Sequence, residues 1–162
     1  MMTFVFITGA SGAGKTTVLQ ALEKALPDAS MNYFDSIGVP SPKEMSDPQS
    51  WQETTTHEWV KKLADIKGKK LIFLEGQFNP AFAVAALKKQ AITDYKIICL
   101  HAEKDLREKR LTESRKQPEL ATNDMENFAR FLKEKTLEMG GTVIESSEKA
   151  SVTAQKIMDH LC

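Results

Sequence analysis

An α/β domain built on a five-stranded parallel sheet is the fold this sequence predicts, and three observations carry it. Five short runs rich in β-branched or aromatic residues recur along the chain, at 3–8, 31–34, 70–74, 96–100 and 142–145. Most are continuously apolar rather than alternating, which is the pattern of strands covered on both faces. Helical signals fill the segments between them, so each strand is expected to pass to the next through a crossover.

Taken in order, the first run enters Gly9-Ala10-Ser11-Gly12-Ala13-Gly14-Lys15-Thr16 without a break. This satisfies G-x-x-x-x-G-K-[ST], and a helix is expected from there toward Leu26. The second run leads into 35–46, dense in glycine, proline and serine and read as a loop. Asp47-Pro48 then reads as an N-cap with proline in the first turn, opening a helix that carries Trp51, His57 and Trp59. The indoles are read as core or pocket wall and His57 as exposed. The third run ends in Glu75-Gly76-Gln77, and Asn79-Pro80 repeats the helix-start signal. Beyond the fourth run a helical stretch carries Arg107 and Arg110, followed by a second loop at 114–122 broken by Pro118. Met125, Phe128, Ala129 and Leu132 keep helical spacing, as do Ala154, Ile157, Met158 and Leu161, so each of the last two helices has one apolar face for the sheet.

A length of 162 residues, 41% of them apolar, fits a single domain over 1–162 with one sizeable core. Lysine plus arginine and aspartate plus glutamate each total 22, so the zero net charge advertises neither nucleic acid nor an anionic membrane. The first fifteen residues lack a basic segment and turn early to glycine, so they are read as a strand rather than a signal peptide. No apolar run approaches a membrane span. Cys99 and Cys162 are too few for a disulfide framework, and His101 and His160 show no metal spacing, so a reducing cytoplasm is expected.

The glycine-rich loop is the strongest chemical signal. Glycines let successive N–H groups converge on phosphate oxygens, and the following helix adds its positive end. Gly9, Ser11, Gly12, Ala13, Gly14, Lys15, Thr16 and Thr17 are therefore the expected ATP contacts. Lys15, read as solvent-facing, reaches the β and γ phosphates; Thr16 places its hydroxyl on Mg²⁺; Thr17 bonds an α-phosphate oxygen. Glu75, an acid closing an apolar strand, is expected first in the Mg²⁺ shell, then as a water-orienting or acceptor-facing group. Asp35, at the end of the second strand, lies where an acceptor would dock and is expected to take a hydroxyl proton.

Arginine occurs only at 107, 110, 115 and 130. Arg107, Arg110 and Arg115 are expected to close over the triphosphate as a lid spanning 107–122, against the alternative of a solvated helix with pairs such as Glu103–Arg107. The half of the chain between the phosphate loop and the fourth strand has no arginine, which favours a neutral hydroxyl acceptor over a phosphorylated or carboxylated one. Lys43, Lys61 and Lys62, among the lysines there, count against that inference.

At GASGAGKT, LEG and Arg110-Leu111-x3-Arg115 the chain resembles the small P-loop kinases: adenylate, shikimate and gluconate kinases and chloramphenicol phosphotransferase. The resemblance implies the three-layer fold of P-loop nucleoside triphosphate hydrolases with strand order 2-3-1-4-5. It also implies an acceptor contact at Asp35, ATP contacts at Arg110 and Arg115, and adenine near 145–148. The adenylate kinase arginines that bind a nucleoside monophosphate have no counterpart, and Glu75 replaces the usual aspartate. The function expected is transfer of the ATP γ-phosphoryl group to a small molecule; a P-loop ATPase, switch or ATP-dependent binding module is the alternative. A GTPase is disfavoured because N-K-x-D is absent from the sequence, and a ring-forming ATPase would need a second helical domain.

Overall fold

The computed structural model describes residues 2–41, 44–45 and 47–161. Pro42, Lys43 and Ser46 of the expected acceptor loop lie outside the described residues, as do Met1 and Cys162. Five strands, β1 (Thr3–Thr8), β2 (Ser30–Tyr33), β3 (Leu71–Gly76), β4 (Tyr95–His101) and β5 (Thr142–Glu145), form one sheet in the order β2-β3-β1-β4-β5. Every pairing is parallel. Each expected run is therefore a strand, and the order is the one the resemblance implied.

Successive residues of β1 point to opposite faces and nucleate two cores. Phe4 and Phe6 pack with Phe34, Trp59, Leu63, Leu74, Phe78 and Leu87 on the side of α2 (Pro48–Ala64) and α3 (Pro80–Lys89). Val5 and Ile7 pack with Leu19, Leu22, Phe73, Ile98 and Ile157 on the side of α1 (Lys15–Ala25) and α6 (Ala150–Leu161). Each large side chain fully buried in this way contributes about 1.5–3 kcal/mol, which is why strands covered on both faces carry no polar alternation. A further helix, α5 (Asn123–Glu138), covers β4 and β5.

Caps set the helix starts. Asp47 accepts from the Ser50 N–H at 3.3 Å and Asn79 from the Ala81 N–H at 2.9 Å, each with proline in the first turn, as the sequence signals indicated. The Thr122 hydroxyl accepts from the Met125 N–H and starts α5. Trp59 is buried and donates from Nε1 to the Phe34 carbonyl, whereas His57 is half-buried rather than exposed, because α2 turns that flank toward its neighbours.

Two loops differ from expectation. After β2 the chain makes a turn of 3₁₀ helix, Phe34–Ile37, so Asp35 sits on a short helical turn instead of irregular backbone. After β4 come α4 (Lys104–Lys109), a π-helical turn, Arg110–Ser114, and a 3₁₀ turn, Pro118–Leu120. The π turn is closed by the Arg115 N–H donating to the Arg110 carbonyl. Much of the expected lid is thus built from helical turns.

Candidate active site

The chain goes from β1 to β2 on one side of the sheet, and from β3 crosses β1 to reach β4 on the other. The crevice beyond the carboxyl end of β1 lies at this change of direction, where open parallel sheets take ligands. The glycine-rich loop occupies it. Gly12 and Gly14 hold φ of 85° and 91°, conformations costly for any side chain, and a Cβ on Gly12 would meet the Arg107 backbone at 3.0 Å. Gly14 caps α1 without a side-chain hydrogen bond, so N–H groups of the first turn stay available to an anion.

Lys15 is buried, not solvent-facing. Its Nζ donates to the Ala10 carbonyl at 3.2 Å. Burial brings its pKa down from 10.5 to about 8; the carboxylate of Glu75 opposes that fall, Arg115 adds to it, and Asp35 opposes it more weakly. Glu75 is buried within β3, where it pairs in register with Ile7 of β1 and Tyr33 of β2. Burial raises its pKa, Lys15 lowers it, Asp35 raises it, and a hydrogen bond from Thr16 lowers it. Lys15, Thr16, Glu75 and Asp35 therefore form one electrostatic group, although 60 residues separate Lys15 from Glu75. Asp35 is exposed at its edge.

A cleft of about 590 Å³ opens at the loop. Gly12, Gly14, Lys15, Thr16 and Thr17 form its floor; Arg110, Ser114 and Arg115 flank it, and Glu148 and Ala150 close the far end. Arg110 does not hang over the cleft as a free lid residue. Its guanidinium donates to the Gly12 carbonyl and the Ser146 hydroxyl, both at 3.0 Å, and to the Ser147 carbonyl at 2.5 Å, tying the phosphate loop to the segment after β5. Arg115 lines the same cleft and is exposed.

Arg107 is not brought to the cleft. Its buried side chain donates to the Ala102 carbonyl and forms an ion pair with Glu126 of α5, which matches neither the expected lid nor the alternative pair with Glu103. The backbone of Arg107 itself lies against Gly12, while its side chain reaches the Ala102 carbonyl past β4 and Glu126 of α5. His101, by contrast, has neighbours that its sequence spacing hides: ligand atoms of His101, Glu103 and Glu145 lie within 4.8 Å of one another, because β4 and β5 pair His101 with Glu145.

Three further residues carry contacts at the loop that the sequence reading assigned no role. Gln77 donates to the Ser11 hydroxyl at 2.5 Å, Gln52 donates to the Gln77 carbonyl, and Ser146 helps to hold Arg110. The position of Gln77 directly after β3, at the carboxyl end of a strand where such sheets take ligands, was the available signal.

The pKa of Lys15 gives a measurable consequence. Polyphosphate binding favours its charged form, so above about pH 8 binding must take up a proton. The affinity for ADP in EDTA is expected to be level below that pH and to fall by up to about tenfold per unit above it. Titration calorimetry from pH 7 to 10 tests this; a flat profile would mean that Lys15 does not meet the phosphates.

The parallel 2-3-1-4-5 sheet with a glycine-rich loop at its switch point defines a protein of the P-loop kinase-like α/β class. More particularly, a family model described as AAA domain matches residues 5–130, and the chain belongs to that family. Shikimate kinase from Acinetobacter baumannii, solved in complex with shikimate, is similar to it with a TM-score of 0.68 at 21% identity, over 99% of this chain and 93% of that one. The tunicamycin resistance protein of Deinococcus radiodurans gives 0.68 at 17%, over 99% and 96%. The APS kinase of Mycobacterium tuberculosis, in complex with AMPPNP and APS, gives 0.63 at 14%, over 99% and 97%. At these identities the likeness is one of fold. No curated protein matches the chain significantly in sequence. Among the described residues no helix is long and apolar enough to cross a membrane.

Proposed function

We propose that the protein is a kinase that moves the γ-phosphoryl group of ATP to a hydroxyl of a small, uncharged molecule. The observation that carries this is a cleft at the loop lined by Lys15, Arg110 and Arg115, together with two carboxylates, Asp35 just past β2 and Glu75 within β3, that act on the charge of Lys15. A site for hydrolysis alone has no need of a second, exposed acid beside the terminal phosphate. The kinases among the similar folds, one of them solved with shikimate and another with APS, support transfer to a small molecule; the uncharged acceptor rests on the absence of arginine between the phosphate loop and β4.

In this reading the base lies toward Glu148 and the triphosphate lies along the loop N–H groups. Lys15 and Arg115 stabilise charge on the phosphoryl oxygens. The acceptor oxygen forms its bond to the γ-phosphorus as the bond to the bridging oxygen breaks, ADP leaves, and the hydroxyl proton passes late to Asp35. Thr16 offers a hydroxyl and Glu75 a carboxylate at the loop, hard oxygen donors of the kind that fits Mg²⁺. When bound, that ion supplies neutralisation of the β and γ oxygens.

Incubating the protein with Mg-ATP labelled at the γ position and a broad metabolite extract, then resolving the products, tests the proposal. A new phosphorylated small molecule is expected; label found only as inorganic phosphate would favour the ATPase reading, which the AAA domain family match supports. Asp35→Asn is expected to leave nucleotide affinity within a few-fold and to cut phosphorylation of the acceptor by about 10². Unchanged turnover with a lowered Tm would instead make Asp35 a turn residue.

A further inference from the structure

Gln77 sits just past β3, at the junction of three elements. Its side-chain amide donates to the Ser11 hydroxyl at 2.5 Å. Its carbonyl accepts from the Gln52 side chain of α2 at 3.3 Å, and the other end of the Gln52 amide accepts from the Asn79 N–H at 2.8 Å. Gln52 is thereby satisfied at both ends and fixes the backbone from which Gln77 projects. Ser11 is the third residue of the phosphate loop and is 4% exposed. A hydroxyl offers one proton and accepts at its oxygen. The oxygen of Ser11 is taken by Gln77, and among the described residues its proton has no acceptor. A buried donor left in this way costs free energy until an acceptor arrives.

We propose that Gln77 is a positioning residue that holds the Ser11 hydroxyl as a donor to the terminal phosphate of a nucleoside triphosphate, so that the loop tells triphosphate from diphosphate. This rests on the reading of the loop as a nucleotide site and adds to it the residue that reads the transferable group. With the amide on its oxygen, the Ser11 O–H is turned away from Gln77 and kept for the ligand. Without the amide, the hydroxyl is free to rotate and to donate elsewhere, and the bond to phosphate loses its preorganisation. The α and β phosphates, held by the N–H groups beyond Gly12 and by Lys15, do not depend on it.

The test is the ratio of two affinities. Dissociation constants for AMPPNP and for ADP, each with Mg²⁺, are measured by calorimetry on the wild type and on Gln77→Ala, Gln77→Leu, Ser11→Ala and the double variant Ser11→Ala/Gln77→Ala. Each single variant is expected to weaken AMPPNP by about tenfold, as loss of a hydrogen bond to a charged group does, and to leave ADP within twofold. The double variant should be no weaker than Ser11→Ala alone, because Gln77 acts through Ser11. Gln77→Leu keeps the side-chain volume, so it separates loss of the amide from loss of packing. Equal weakening of both nucleotides, an unchanged ratio, or additive losses in the double variant would overturn the proposal. A wild type that binds neither nucleotide would overturn the nucleotide site itself, a result plainly different from an unchanged ratio.

Discussion

Lys15→Met is expected to reduce phosphoryl transfer by at least about 10³ while leaving the protein as stable as the wild type or more so. The first part follows from chemistry. A hydrogen bond to a charged group is worth about 1.5–3 kcal/mol in binding, and one aimed at charge developing in a water-poor transition state is worth more. The second part follows from burial. A lysine whose pKa falls from 10.5 to about 8 on folding is a cation held against its hydration, at a cost on the order of 3 kcal/mol. Because the folded pKa is the lower one, the cost is full below about pH 8 and disappears as pH rises to 10.5. Methionine fills similar space without charge, and the Ala10 carbonyl keeps its bond from the Ala13 N–H. Turnover and thermal unfolding measured together at pH 7 check both parts; normal turnover would remove the loop from the mechanism.

Arg115→Ala is expected to lower kcat by about 10³ or more, as loss of an arginine that contacts a transferring phosphoryl group does. Its effect on Tm should be small, because the side chain is exposed and belongs to none of the ion pairs of the described residues. Arg107→Ala should behave in the opposite way. It strands Glu126 and leaves a gap between β4 and α5, so Tm should fall by several degrees, equivalent to about 1–3 kcal/mol, with kcat for correctly folded protein near normal. Turnover and melting curves of the two variants side by side separate a residue that meets phosphate from one that fastens the scaffold. If Arg107→Ala lost activity and Arg115→Ala did not, the assignment of the cleft would be reversed.

The contrast between these arginines shows where a single sequence stops being informative. Their spacing placed 107 and 110 on one helix face and 115 at the start of the following loop, all over one ligand. Helical spacing says which residues share a face, not what that face meets. Here α4 passes into a π turn at Arg110, and the partners brought by other elements decide the rest: the Ala102 carbonyl and Glu126 hold Arg107, while Gly12, Ser146 and Ser147 hold Arg110. The first arginine consequently points to α5 and the other two to the cleft.

What the sequence determined by itself is local and short-ranged. The glycine-rich loop is specified by eight consecutive residues whose backbone freedom is the requirement. Asp47-Pro48 and Asn79-Pro80 fix helix starts because the capping oxygen and the N–H it accepts from are at most three residues apart. The central strands β1, β3 and β4 show because burial on both faces demands apolar runs. The tertiary structure decided everything that depends on which strands are neighbours. Pairing of β1 with β3 buried Lys15 against Glu75, pairing of β4 with β5 set His101 beside Glu145, and the exit of β3 carried Gln77 onto Ser11. Solvation, and with it the charge state of Lys15 and the partner of Arg107, is a property of surroundings assembled from distant parts of the chain. No window of consecutive residues contains them.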